Sequence, residues 1–170
     1  MSAVPRHRWG DAAVWLSGAV VVTDQASKML VRWLMPLHTS VTIVPGMVDF
    51  THVRNTGAAF GILNAADFPF KPVIILIVAA AALAGVVLYA SQVSPQPRAA
   101  RIGLFLIIGG AAGNLIDRLL VGYVIDFVDV YWRGYHFWAF NVADSAITVG
   151  VGIMMLDMLG IGRGRVSKAV

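Results

Sequence analysis

The chain has no cysteine and no glutamate; all nine acidic residues among its 170 positions are aspartate. Without cysteine there is no disulfide framework, no thiolate metal site and no cysteine nucleophile. Charge is scarce too: charged residues make up 13% of the chain, about half the ~25% usual for a soluble domain. The histidines, His7, His38, His52 and His136, show no metal-ligand spacing, and no metal or other cofactor is expected. No repeat or low-complexity segment is present. What abounds is apolar: 58% of residues are hydrophobic and 17 more are glycine. A water-soluble fold of this length cannot hide so much apolar surface, and a disordered chain would not carry it, so both classes are excluded. The formal charge of +4 matters through its placement. Basic residues such as Arg165 are too few, and sit too far to one side, to imply a nucleic-acid partner.

The apolar residues fall into four runs. Residues 72–97 carry no charge at all, and Pro72 opens a stretch long enough for one spanning helix. Residues 102–116 form a second run, interrupted by Asp117 and Arg118; residues 12–23 form a third, which meets Asp24 and Lys28; residues 138–161 form a fourth, broken by Asn141, Asp144 and Asp157. The expected fold is an all-α polytopic membrane protein. It is a single domain over residues 1–170, with transmembrane helices at about 12–35, 72–92, 101–121 and 139–160. Seven of the thirteen Lys and Arg residues (Arg6, Arg8, Arg98, Arg101, Arg163, Arg165, Lys168) lie in three short segments that four spans bring to one side. By the positive-inside bias that side is cytoplasmic, with both termini. Five of the nine Trp and Tyr residues lie between Tyr123 and Trp138, where an outer interfacial belt would sit. A cleaved signal peptide is the alternative for the first run, but no small-x-small pattern closes its core.

Two outer segments read as β-structure. Val41 to Val44 and Val48 to Val53 are rich in β-branched residues around Pro45-Gly46, a pair suited to a tight turn. Val124 to Trp132 and Tyr135 to Trp138 flank Arg133-Gly134. A small β-sheet on the extracytoplasmic face is expected from segments 41–55 and 124–138. The glycine-containing segment 55–61 that follows would allow close approach of a chain or ligand to its backbone.

Ionisable groups inside spanning helices are costly and are functional candidates. At a rise of 1.5 Å per residue, Asp24 lies ~18 Å up the first helix and Asn114 and Asp117 lie ~20–24 Å up the third. Asn141 and Asp144 fall ~5–9 Å below Trp138, and Asp126 follows Gly122 near the outer surface. These groups sort into one shallow outer layer. Each also has a purely structural reading. Asp24 and Lys28, spaced i,i+4, would neutralise each other. Asn114 and Arg118 share a helix face. Asn141 and Asp144 read as an N-cap with a first-turn acid. Asp126 and Asp129 read as solvated loop acids, Asp157 as an acid wetted at a helix end, and Asp117, adjacent to Arg118, points elsewhere with an open role.

Taken together, Asp126 and Asp144 come from opposite ends of one short outer loop and can meet. Two facing carboxylates share a proton: the ionised one takes a proton from water, and the protonated one polarises an amide carbonyl. That chemistry needs no metal, cysteine or histidine. Ser145 beside Asp144 has no neighbouring base to activate it.

Five segments resemble one known family across nearly the whole chain: Thr23-Asp24-Gln25-Ala26-Ser27-Lys28; Arg54-Asn55-Thr56-Gly57-Ala58-Ala59-Phe60; the segment 109–118 ending in Asn114-Leu115-Ile116-Asp117-Arg118; Gly122-Tyr123-Val124-Ile125-Asp126-Phe127; and Phe140-Asn141-Val142-Ala143-Asp144-Ser145. In order, on a four-span chain, they resemble lipoprotein signal peptidase (signal peptidase II), the bacterial membrane aspartyl protease family. The resemblance implies that Asp126 and Asp144 are the catalytic pair. It implies that Asp24, Asn55, Asn114, Arg118 and Asn141, with Lys28 and Gly57 in the same motifs, support that pair or contact substrate. It implies no cofactor, a place in the cytoplasmic (inner) membrane, and lipid contacts. The implied partner is a diacylglyceryl-modified prolipoprotein, cut on the amino side of its lipidated cysteine. A proton- or ion-coupled transport subunit is the alternative, but it calls for polar residues continuing to the cytoplasmic side; a non-enzymatic scaffold is a third reading.

Overall fold

The computed structural model describes residues 11–57, 63, 66, 68–92 and 98–161. The chain runs α1 (Asp11–Leu34), β1 (Ser40–Val44), β2 (Val48–Asn55), α2 (Lys71–Gln92), α3 (Arg98–Val121), β3 (Val124–Trp132), β4 (Tyr135–His136) and α4 (Val142–Met158). It is mostly helical, with one small antiparallel sheet in the order β1-β2-β3-β4. The terminal basic residues Arg6, Arg8, Arg163, Arg165 and Lys168, and residues 58–61, lie outside the described residues.

Helix α3 is the hub, packing on α1, α2 and α4. Glycines let the backbones close up where the helices cross. A Cβ on Gly103 would stand 2.6 Å from the Gly150 carbonyl, and one on Gly150 would stand 2.5 Å from that of Gly103. Between α3 and α1, a Cβ on Gly113 would meet Asp24 Oδ2 at 2.6 Å.

The lateral faces of the helices are apolar and exposed: Trp15, Trp33 and Leu34 on α1, Ile77 and Val78 on α2, Leu119 and Leu120 on α3, Met155 and Met158 on α4. A soluble bundle buries such residues; this one turns them outward, with Trp33 87% exposed. By length and composition α2 and α3 qualify as membrane spans among the described residues. Helix α1 carries Asp24, Lys28 and Arg32, and α4 has only 17 residues.

The sheet caps one end of the bundle. Ile125 and Phe127 of β3 pack on Val31 of α1, with Met35, Phe50, Tyr123, Val128 and Val142 around them. The β2–β3 register slips between Phe50 and Val53, so β2 carries an extra residue just before it passes Asp126. After β4, Phe140 is stitched back onto β3: its carbonyl accepts from the Phe127 and Val128 amides at 3.0 and 2.9 Å, and its own amide donates to the Val128 carbonyl at 3.0 Å. This return explains two differences from the sequence reading. The last strand is only two residues long, and the fourth helix begins at Val142 rather than 139, because the backbone of Phe140 is committed to the sheet.

Two acidic residues also differ from expectation. Asp157 is buried rather than wetted. Asp129 pairs with His136 Nδ1 at 2.8 Å across the β3–β4 turn instead of standing free in solvent.

Candidate active site

Asp126 is the third residue of β3 and is 3% exposed. Asn55, the last residue of β2, lies opposite Val124 and so is the diagonal neighbour of Asp126. Its Nδ2 donates to Asp126 Oδ2 at 3.1 Å. Because Phe140 is held against β3, the next residue, Asn141, falls beside Asp126 and donates from Nδ2 to Asp126 Oδ1 at 2.7 Å. Asn141 is also the N-cap of α4. Its side chain accepts from the Asp144 amide at 2.9 Å, and Asp144 Oδ2 accepts from the Asn141 amide at 3.3 Å, a reciprocal capping box. The structural reading of these two residues therefore holds, and the capped Asp144 lies near enough for its charge to act on Asp126.

Hydrogen-bond chemistry fixes the orientation of all three neighbouring amides. The Asn55 carbonyl accepts from the Gly57 amide at 2.9 Å and the Asn141 carbonyl from the Asp144 amide, so each must turn its NH2 toward Asp126. Asn114 Oδ1 accepts from Lys28 Nζ at 2.9 Å, leaving its Nδ2 to donate to Asp144 Oδ1 at 2.7 Å. Asn141 Nδ2 also approaches Asn114 Oδ1 at 3.3 Å. The route Asp126–Asn141–Asn114–Asp144 thus joins the two carboxylates through a continuous arc of amides.

Beneath this arc, at the junction of α1 and α3, lies a buried charge cluster. Lys28, 2% exposed, reaches Asp24 Oδ2 at 2.7 Å and Asp117 Oδ2 at 2.8 Å. The Gln25 amide donates to Asp117 Oδ1 at 3.0 Å and to the Gly113 carbonyl at 3.1 Å. Asp24, fully buried, accepts from the Ala143 amide at 2.9 Å, in the first turn of α4. Arg118 caps the other flank: it donates to its own helix at the Asn114 carbonyl (3.2 Å) and to the Gly57 carbonyl (2.9 Å), holding the turn that follows β2.

Burial, and then the neighbouring Asp144 charge, push the Asp126 carboxyl up from its ordinary value of 3.8 to about 7; the Asn55 and Asn141 bonds only partly offset this. Asp126 therefore still holds a proton part of the time at neutral pH. Among the described residues no three His, Cys, Asp or Glu side chains converge on a point that could hold a metal ion. The arrangement brings together an acid able to keep a proton near neutrality, a second carboxyl whose charge acts on it, and amide donors that hold both.

Residues 16–160 match the family described as signal peptidase (SPase) II. The chain belongs to the signal peptidase II family. It is 45% identical over 139 residues to a lipoprotein signal peptidase of Geobacter metallireducens, covering 82% of this chain and 85% of the relative. It is 42% identical over 151 residues to one of Symbiobacterium thermophilum, covering 89% and 96%. A solved structure described as a bacterial membrane enzyme, 30% identical, superposes with a TM-score of 0.80 over 95% of both chains; a second, 28% identical, gives 0.79 over 88% of this chain and 94% of the other. This peptidase is therefore an aspartic protease of lipoprotein processing and a membrane protein, and the transport-subunit and scaffold alternatives are set aside.

In this signal peptidase II, the nine candidate site residues Asp24, Lys28, Asn55, Gly57, Asn114, Arg118, Asp126, Asn141 and Asp144 are joined by the bonds above. Two participants, Gln25 and Asp117, carry no sequence signal of their role. Gln25 lies in the first motif with nothing in its spacing to mark it, and the adjacency of Asp117 to Arg118 shows only that it points away from that residue.

Proposed function

We propose that this protein is a four-span membrane endopeptidase that cuts diacylglyceryl-modified prolipoproteins on the amino side of the lipidated cysteine, with Asp126 and Asp144 as its catalytic pair. The observation that carries this reading is the convergence of amide donors from three elements on two acids, one of them still able to hold a proton near neutrality.

The ionised carboxylate takes a proton from water as the water oxygen bonds to the scissile carbonyl carbon, and the protonated carboxyl gives its proton to the carbonyl oxygen. In collapse the C–N bond breaks. The leaving nitrogen takes the proton first removed from water, and the hydroxyl of the intermediate returns the other, which restores the pair. Asn55, Asn114 and Asn141 hold the carboxyl oxygens, Asp24 and Lys28 hold Asn114 and the start of α4, and Arg118 and Gly57 shape the adjoining turn.

Four spans are supported by the outward apolar faces of all four helices, α1 and α4 included. With basic residues at the opposite end, both termini face the cytoplasm and the pair lies near the outer surface of the bacterial cytoplasmic membrane. A signal peptide lying in the bilayer as a helix would present its scissile bond at that depth, extended locally beside the sheet, with its lipid chains alongside.

The test is cleavage in lipid vesicles of one precursor with and without the diacylglyceryl group, followed by mass analysis of the product. A new amino terminus at the modified cysteine, formed only from the lipidated precursor, is expected. Equal cleavage of both forms would refute the substrate assignment.

A further inference from the structure

Resting on the catalytic pair above, we propose that Lys28, bracketed by Asp24 and Asp117, is a positioning residue that locks the Asn114 amide with its NH2 toward Asp144 and so makes Asp144 the proton-accepting member of the pair. An ammonium group has three hydrogens and no lone pair. Lys28 Nζ donates to Asp24 Oδ2 at 2.7 Å and Asn114 Oδ1 at 2.9 Å and forms an ion pair with Asp117 Oδ2 at 2.8 Å, so it is held from three sides. Gln25 ties the two carboxylates together, donating to Asp24 Oδ2 at 3.2 Å and Asp117 Oδ1 at 3.0 Å.

A reversed Asn114 amide would set NH2 against the ammonium, donor against donor, and would turn Oδ1 toward Asp144. Asp144 tolerates an oxygen there only when it carries a proton itself. The buried cation therefore selects, through one amide, a state in which Asp144 accepts. Burying three ionised groups is costly and seldom a net source of stability, so a cluster of this kind fits a role in fixing geometry. Asp126, held up near 7, is the matching proton carrier. The groups that face Asp144 are Lys28 and Asp24 from α1, Asn114 and Arg118 from α3, and Asp126 from β3, with Asn141 at its own helix end.

The test compares kcat, KM and the pH profile of kcat in vesicle-embedded enzyme. Lys28→Met combined with Asp117→Asn removes one charge of each sign. A fall in kcat of about tenfold or more is expected, with KM nearly unchanged and the acid limb moved up by about one pH unit, as Asp144 protonates more readily. Asn114→Asp keeps an acceptor for Lys28 but sets an oxygen against Asp144; its acid limb should move up at least as far, and it serves alone if the double variant does not accumulate. An unmoved acid limb in Asn114→Asp, or a loss confined to KM, overturns the proposal. If that happens while Asp126→Asn and Asp144→Asn are inactive, the catalytic pair stands and only the role of Lys28 falls.

Discussion

Asn141 does two jobs with one side chain. Its oxygen caps α4 and its nitrogen holds Asp126. Substitution separates them. Asn141→Ser keeps a capping oxygen but loses the amide donor; Asn141→Ala loses both. Both variants should be inactive on a lipidated precursor, while the alanine variant alone loses the cap, worth about 1 kcal/mol, visible as a Tm lower than that of the serine variant. Equal Tm values would show that the cap contributes little; an active serine variant would show that Asp126 does not depend on this donor. Asp126 also gives the chain a pH signature. Its proton is bound more tightly in the folded state than in the unfolded chain, so the stability it contributes is present at acid pH and is lost as pH rises from about 4 toward 7. Activity should fall as well above about pH 7, as the acid loses its proton, which a pH profile of kcat checks.

At the scale of elements, the chain is legible wherever local pattern decides. The uncharged run after Lys71, the β-branched segments around Pro45-Gly46 and Arg133-Gly134, and the i,i+4 pairing of Asp24 with Lys28 can all be read in order along the sequence. Features set by tertiary contact cannot. The delayed start of α4 follows from Phe140 bonding to β3, and apolar periodicity carries no trace of that bond. Asp117 meets Lys28 only because α1 and α3 pack closely, and that depends on Gly113. Gly113→Ala would drive a methyl group to 2.6 Å from Asp24 Oδ2, a buried atom already bonded to Lys28. This variant should show a lower Tm and a large loss of kcat together. A fully active and stable Gly113→Ala would mean that the α1–α3 junction relaxes freely and that the cluster geometry does not matter.

For the whole molecule, the sheet and the acid pair sit at one end of the bundle, where α3 ends, and Arg98, where α3 begins, sits at the other. The absence of cysteine makes this arrangement easy to test. A single cysteine at position 135, in the exposed β3–β4 turn region, should react with a membrane-impermeant thiol reagent added outside intact cells; one at position 98, where α3 begins, should react only after the membrane is opened. The reverse pattern would invert the topology and remove the site from the face where exported precursors lie. The lateral surface was legible from composition alone, since a chain this apolar has no soluble way to hide its side chains. The closeness of Asp126 to Asp144 needed the fold, because it depends on the Phe140 bridge and the α4 cap acting together.

That closeness matters only if the two acids act as a unit. The decisive measurement is the cleavage rate of a lipidated precursor by Asp126→Asn, Asp144→Asn and the double variant, each with its Tm. Each single substitution should lower kcat at least about 100-fold with little change in Tm, and the double variant should lose scarcely more than either, as expected of groups sharing one step. A single variant that cleaves at near the parent rate, or losses that multiply in the double variant, would contradict joint action by this pair.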